Sequence, residues 1–177
     1  MIVNLFEIPI FIGNIDVEKI KLLNKNITKE WMSETPTTFQ SSWNNIQEKD
    51  VAFLLNNIVK IMEEKIKYPF ELRLLNIWEN HYKNGDFQEP HIHANSDFSF
   101  IIYKKVTEGR TTFLNPIRKY LMLYQNISHM YEQIFEPKCK TGQIVIFPSF
   151  LEHMVLKSTN QITISGNLSF KKVVNNE

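Results

Sequence analysis

The chain has 177 residues, 43% of them hydrophobic and 22% charged, with a formal net charge of +1. That is enough chain for one globular domain with a substantial core. The near-neutral charge, with no basic tract, gives no electrostatic argument for nucleic acid or an acidic membrane surface. No apolar run approaches a membrane span, and the N-terminus lacks the basic start and long apolar stretch of a secretory signal. The single Cys139 excludes an internal disulfide and fits a reducing cytoplasm. No His or acid stands beside it in sequence, so it reads as an inert thiol.

In chain order, Leu5 to Ile12 reads as a short strand, with Pro9 placing it at an edge or a bend. Asp16 caps an expected helix through Ile20, Leu23 and Ile27. Thr35 to Ser42 reads as loop or ragged strand. A stronger helix is predicted from Asp50 to Lys67, because Val51, Leu54, Leu55, Ile58, Ile61, Met62 and Ile66 form one apolar stripe. Beyond Pro69 the period changes to two. Glu71 to Tyr82 reads as a long strand with Leu72, Leu74, Asn76, Trp78, Asn80 and Tyr82 on one face. Asn84-Gly85 and Glu108-Gly109 are turn dipeptides. Further strands are expected over Phe98–Val106, Arg110–Leu114, Tyr131–Phe135, Gln143–Phe147 and Gln161–Phe170. The stretch from Ile117 to Met130 reads as a long loop and a candidate lid, carrying Tyr120, Tyr124 and His129.

Several short strands after N-terminal helices predict a mainly β fold, a double-sheet jelly roll (double-stranded β-helix, cupin-like) with the helices packed on one sheet. The chain is read as a single domain, residues 1–68 giving helical support and 69–170 the β-helix core. Ligands of jelly rolls sit in the open mouth between the two sheets.

Two histidines mark that mouth. His91 and His93 follow the turn residues Gly85-Asp86, and in an extended segment residues i and i+2 share a face. His153 comes some 60 residues later, after the strand end Phe147-Pro148. Three neutral imidazoles with open positions suit a catalytic Zn, Fe, Cu, Ni or Mn ion rather than a structural one. Asp97 is placed as a partner behind the ligands or an alternative ligand. His81 falls on the strand face opposite Trp78 and is not expected in the site. Trp78, Phe98, Phe113 and Phe147 could line an apolar pocket.

His91-Ile-His93 with Ser99-Phe-Ile-Ile-Tyr103, then Asn115-Pro116-Ile-Arg118, then Gly142-Gln-Ile-Val-Ile-Phe147-Pro148-Ser149 and His153, resembles the 2-oxoglutarate/Fe(II) oxygenases common in tailed phages and marine bacteria. Asn76-Ile-Trp78-Glu-Asn80 and Asn84-Gly-Asp86 share in the likeness, which covers about Asn76 to Phe170. It implies a double-stranded β-helix and a dioxygenase, an oxidoreductase with Fe(II) held by His91, His93 and His153. It implies 2-oxoglutarate as co-substrate, spent in oxidative decarboxylation to succinate while a substrate C–H bond is hydroxylated. Tyr103, Gln161, Thr163 and Asn167 are the implied co-substrate contacts.

One departure stands out. The resemblance places an Arg on the last strand to clamp the far carboxylate, and here that position is Gln161, which cannot form a charged bidentate pair. Lys157, Lys104 and Arg73 are the candidate cations to replace it. The same histidines also resemble the cupin pattern, with Gly142, Pro148 and His153 matching its second half. That leaves a three-His dioxygenase or hydrolase without 2-oxoglutarate, or a non-catalytic member, as alternatives. The substrate class, small molecule or peptide, stays open.

Overall fold

The computed structural model describes residues 7–23, 46–107, 111–157 and 160–173. Two antiparallel sheets face each other. The larger has strand order β1-β7-β4-β9-β2, and the smaller β3-β8-β5-β6. In chain order the strands are β1 (Phe11–Asn14), β2 (Phe70–Tyr82), β3 (Gln88–His91), β4 (Phe98–Lys105), β5 (Thr111–Leu114), β6 (Ile134–Phe135), β7 (Gln143–Pro148), β8 (His153–Val155) and β9 (Gln161–Lys172). Strands distant in sequence lie side by side, as a rolled double-stranded β-helix requires.

The large sheet separates two apolar clusters. On its outer face Phe100, Ile102, Ile144, Ile146, Ile164 and Leu168 pack against the helix α1 (Glu48–Glu63) through Leu54, Ile58 and Met62. Each of these three helix residues is fully buried. The 3.6-residue stripe thus does what its spacing predicts. The helix ends before the expected Lys67. The amides of Lys65 and Ile66 both reach back to the Met62 carbonyl, closing it in a turn. On the inner face Ile101, Tyr103, Val145 and Phe147 meet Phe113, Cys139 and Leu151.

A β-bulge decides which β2 side chains reach the interior. Leu74 pairs with Leu168 and Asn76 with Asn167, so Leu75 has no partner and the alternation slips by one residue. Leu72 and Leu74 therefore pack with the helix side, together with Ile77. Asn76, Trp78, Asn80 and Tyr82 oppose Asn167, Ser165, Thr163 and Gln161 and share their inward face. The expectation of one uninterrupted face from Leu72 to Tyr82 is corrected at that point.

Other boundaries also move. Asp16 does cap, accepting from the Glu18 amide at 3.2 Å, but only a 3-10 turn over Val17–Lys19 follows. Ile20 is already extended and 2% exposed, because its branched side chain enters the core. Leu5, Ile27, the Thr35–Ser42 loop, Glu108-Gly109 and Arg110 lie outside the described residues. The first strand starts at Phe11 and lies at a sheet edge, where Pro9 had placed it. Between Ile117 and Met130 the chain forms two single-turn helices, α2 (Arg118–Leu121) and α3 (Gln125–Ser128), rather than a plain loop. No helix of the described residues is long and apolar enough to cross a membrane.

Candidate metal centre

The small sheet aligns two of the three histidines. His91 on β3 and His153 on β8 are direct cross-strand partners, and His153 pairs with Phe113 on β5 on its other side. His93 lies just past the end of β3. Its amide donates to the Ser149 carbonyl at 3.0 Å, which ties the segment to the end of β7. Asn95, with φ of 59°, then turns the chain into β4. The rings of His91 and His93 stack 5.4 Å apart, while Ile92 between them points outward, 55% exposed.

The ring centroids of His91 and His93 lie 4.3 and 5.1 Å from that of His153. One ring nitrogen from each comes within 4.8 Å of the others. The outer nitrogens are already engaged. His91 Nδ1 donates to the Glu89 carbonyl at 2.7 Å and His153 Nδ1 to the Leu151 carbonyl at 3.0 Å. His93 Nδ1 donates to Asn167 Oδ1 at 2.5 Å. A carbonyl oxygen only accepts, so each Nδ1 carries the proton and each Nε2 keeps its lone pair. This is the tautomer a metal-ligating imidazole needs.

Burial keeps the rings neutral. Desolvation holds His93 down to about 4, against a hydrogen bond donated to Asn167 that works the other way. Desolvation lowers His91 as well, and holds His153, which is 2% exposed, well below the usual imidazole range. Phe147 and Phe113 wall His153, at 4.7 and 5.8 Å between centroids, and Trp78 lies 5.7 Å from His93. Neutral, desolvated, convergent nitrogens fit a divalent ion such as Fe(II). Among the described residues no carboxylate joins the cluster.

The remaining expected residues sort by geometry. Asp97 is not in the cluster. Its carboxylate accepts from the Phe170 amide at 2.7 Å and clips β4 to β9. Phe98 packs with Phe11 and Phe170 on the outer face, away from the histidines. His81 is paired with Glu79 at 2.7 Å and His129 is exposed, so neither enters. Gln161 and Thr163 line the pocket that opens on the three histidines. Asn167 instead holds His93, and the Tyr103 hydroxyl donates to Thr111 Oγ1 at 2.9 Å behind the pocket wall. Asn80, Tyr82, Gln88, Thr111 and Ser165 also line it. Of these, Asn80 and Tyr82 were signalled by the alternation of β2. Ser165 follows from the same alternation on β9, whereas Gln88 and Thr111 had no signal.

Over residues 76–167, more than half of the chain, the sequence matches the family model described as "Putative 2OG-Fe(II) oxygenase". The chain belongs to this 2OG-Fe(II) oxygenase family. Iron and 2-oxoglutarate are the family's metal and co-substrate. No curated protein matches the sequence. Solved structures share its fold. HygX from Streptomyces hygroscopicus, solved with nickel, 2-oxoglutarate and hygromycin B bound, is 10% identical with a TM-score of 0.51 over 86% of this chain and 74% of that one. A prolyl-4-hydroxylase from Pseudomonas putida is 11% identical, with a TM-score of 0.50 over 88% of this chain and 78% of that one. An oxidoreductase of the 2OG-Fe(II) oxygenase family from Burkholderia pseudomallei is 12% identical, with a TM-score of 0.46 over 70% of this chain. The match spans about half of that protein, 51%.

Proposed function

We propose that this chain is an Fe(II)/2-oxoglutarate-type oxygenase that hydroxylates a C–H bond, with His91, His93 and His153 as its iron ligands. One observation carries the ligand assignment: all three Nδ1 atoms donate outward to oxygen acceptors while one nitrogen of each ring converges within 4.8 Å. Bound iron supplies the redox chemistry, coupling dioxygen use and decarboxylation of a 2-oxo acid to substrate oxidation. The protein's own part is to hold the ring nitrogens in position, to exclude water with Trp78, Phe113 and Phe147, and to orient the co-substrate along β2 and β9. A three-His set carries one more positive charge than two His with a carboxylate, which disfavours oxidation of the resting ferrous ion.

The substrate is read as a small molecule or a peptide. Two structural relatives support this reading, one solved with hygromycin B and the other a prolyl-4-hydroxylase. A phage-like origin rests on the motif order, and a cytoplasmic setting on the lone buried cysteine. Residues 1–68 act as support for the core formed by 69–170.

Anaerobic titration tests the reading. One Fe(II) should bind per chain, and 2-oxoglutarate should then raise a visible metal-to-ligand charge-transfer band. His153→Ala should abolish both. A protein that binds iron equally well without His153 has a different site, and one that binds iron but gives no band with any 2-oxo acid belongs to the cupin-like alternative.

A further inference from the structure

Among the described residues, no lysine or arginine lines the far end of the co-substrate pocket. Gln161 and Tyr82 are register partners where β9 and β2 meet, with Thr163 and Asn80 next inward. Gln161 and Asn80 are each 2% exposed and line the pocket. Asn80 Nδ2 donates to Ser165 Oγ at 3.2 Å, and the Tyr82 hydroxyl donates to Gln88 Oε1 at 2.8 Å. Gln161 Oε1 and Asn80 Oδ1 find no hydrogen-bond partner among the described residues. The three basic residues named as candidate replacements for an arginine lie elsewhere. Lys104 is paired with Glu79 at 2.6 Å, and Arg73 and Lys157 are exposed. None of them lines the pocket.

A carboxylate buried here would lose its hydration and gain only neutral dipoles. We infer that this pocket selects a 2-oxo acid whose far end is uncharged and polar, and that Gln161 is the residue that sets this preference. The inference rests on the proposed function, because the pocket is defined by its position beside the three histidines.

The test uses the full chain loaded anaerobically with Fe(II). 2-Oxoglutarate and its 5-methyl ester are titrated separately, read by the charge-transfer band and by the rise in thermal midpoint. The ester, which keeps the chelating end and removes only the far charge, should bind at least as tightly as the dianion. Gln161→Arg should reverse the order, favouring the dianion by about tenfold or more, as a charged bidentate pair would. Gln161→Met, which introduces no buried charge, should leave the ester preferred. Tighter binding of 2-oxoglutarate than of the ester by the native chain overturns the inference while leaving the oxygenase reading intact. Failure of both to bind the iron-loaded chain overturns the oxygenase reading itself.

Discussion

Asn167 Oδ1 lies 2.5 Å from His93 Nδ1 and also accepts from the Ser99 hydroxyl at 2.8 Å. The Ser99 hydroxyl also lies 3.0 Å from His93 Nδ1, so the amide oxygen and the hydroxyl together engage that nitrogen. Ser99 is held in turn by Ser149 at 2.8 Å, and Ser149 by Ser96 at 2.9 Å. The chain of hydroxyls links Ser99 on β4 and Asn167 on β9 to the end of β7 beneath the histidines, where Ser99, Ser149 and Asn167 are buried and must be matched.

Asn167→Ala should weaken Fe(II) or Co(II) binding by about 10- to 100-fold, the usual cost of losing a partner behind a ligating histidine. Asn167→Asp, which keeps an acceptor, should retain most of the affinity. Chelator competition measures both, with the thermal midpoint of the metal-free proteins as control. Equal metal affinity in all three would mean that His93 does not depend on this contact.

The convergence of the three histidines was legible because its signal is local: an i, i+2 pair and a third His behind a strand-ending Phe-Pro. The helix stripe and the long strands were legible from their periods. The bulge at Leu75 was not, since a one-residue slip inside Leu74-Leu75 leaves no mark in composition. Nor was β8, only three residues long, or β3, which Pro90 interrupts. The short helices over Ile117–Met130 lacked any stripe, as Tyr120, Met122, Leu123 and Met130 are all exposed. Asn167 and Ser99 meet only through pairing of β4 with β9, a relation that no sequence window contains.

The metal-free protein should lose stability as the pH falls from neutrality toward 5. His93 titrates near 4 when folded, against about 6.5 in an unfolded chain. Between those values the unfolded state binds more protons, so its free energy falls relative to the native state. The stability is fully present above the unfolded value and is lost as the pH falls toward the folded one. A shift of that size is worth on the order of 3 kcal/mol at its full extent. Urea midpoints in the presence of chelator, measured from pH 7 to 5, should decline steadily. A flat profile over that window would show that the histidines are solvated.

Cys139 should resist alkylation. It is 2% exposed, and desolvation pushes its thiol up to about 11. Reaction needs the thiolate, so iodoacetamide at pH 8 should label it only when the chain unfolds. Mass spectrometry of native and urea-treated protein separates the cases. Prompt labelling of the native form would place the thiol at the surface.

Gly166 leaves no room for a side chain in the core. A Cβ there would lie 2.7 Å from the Asn76 carbonyl oxygen and 2.5 Å from Phe100 Cζ. The glycine lets the Phe100 ring lie against β9 and brings β2 close at the turn of its bulge. Gly166→Ala should therefore destabilise the protein by about 1–3 kcal/mol, the range for overpacking. Phe100→Leu in the same chain relieves the ring clash but not the carbonyl contact, so rescue should be partial. Denaturant melts of the single and double variants check this. Complete rescue would mean that the ring alone sets the spacing, and an unperturbed Gly166→Ala would mean that the strands have room to part.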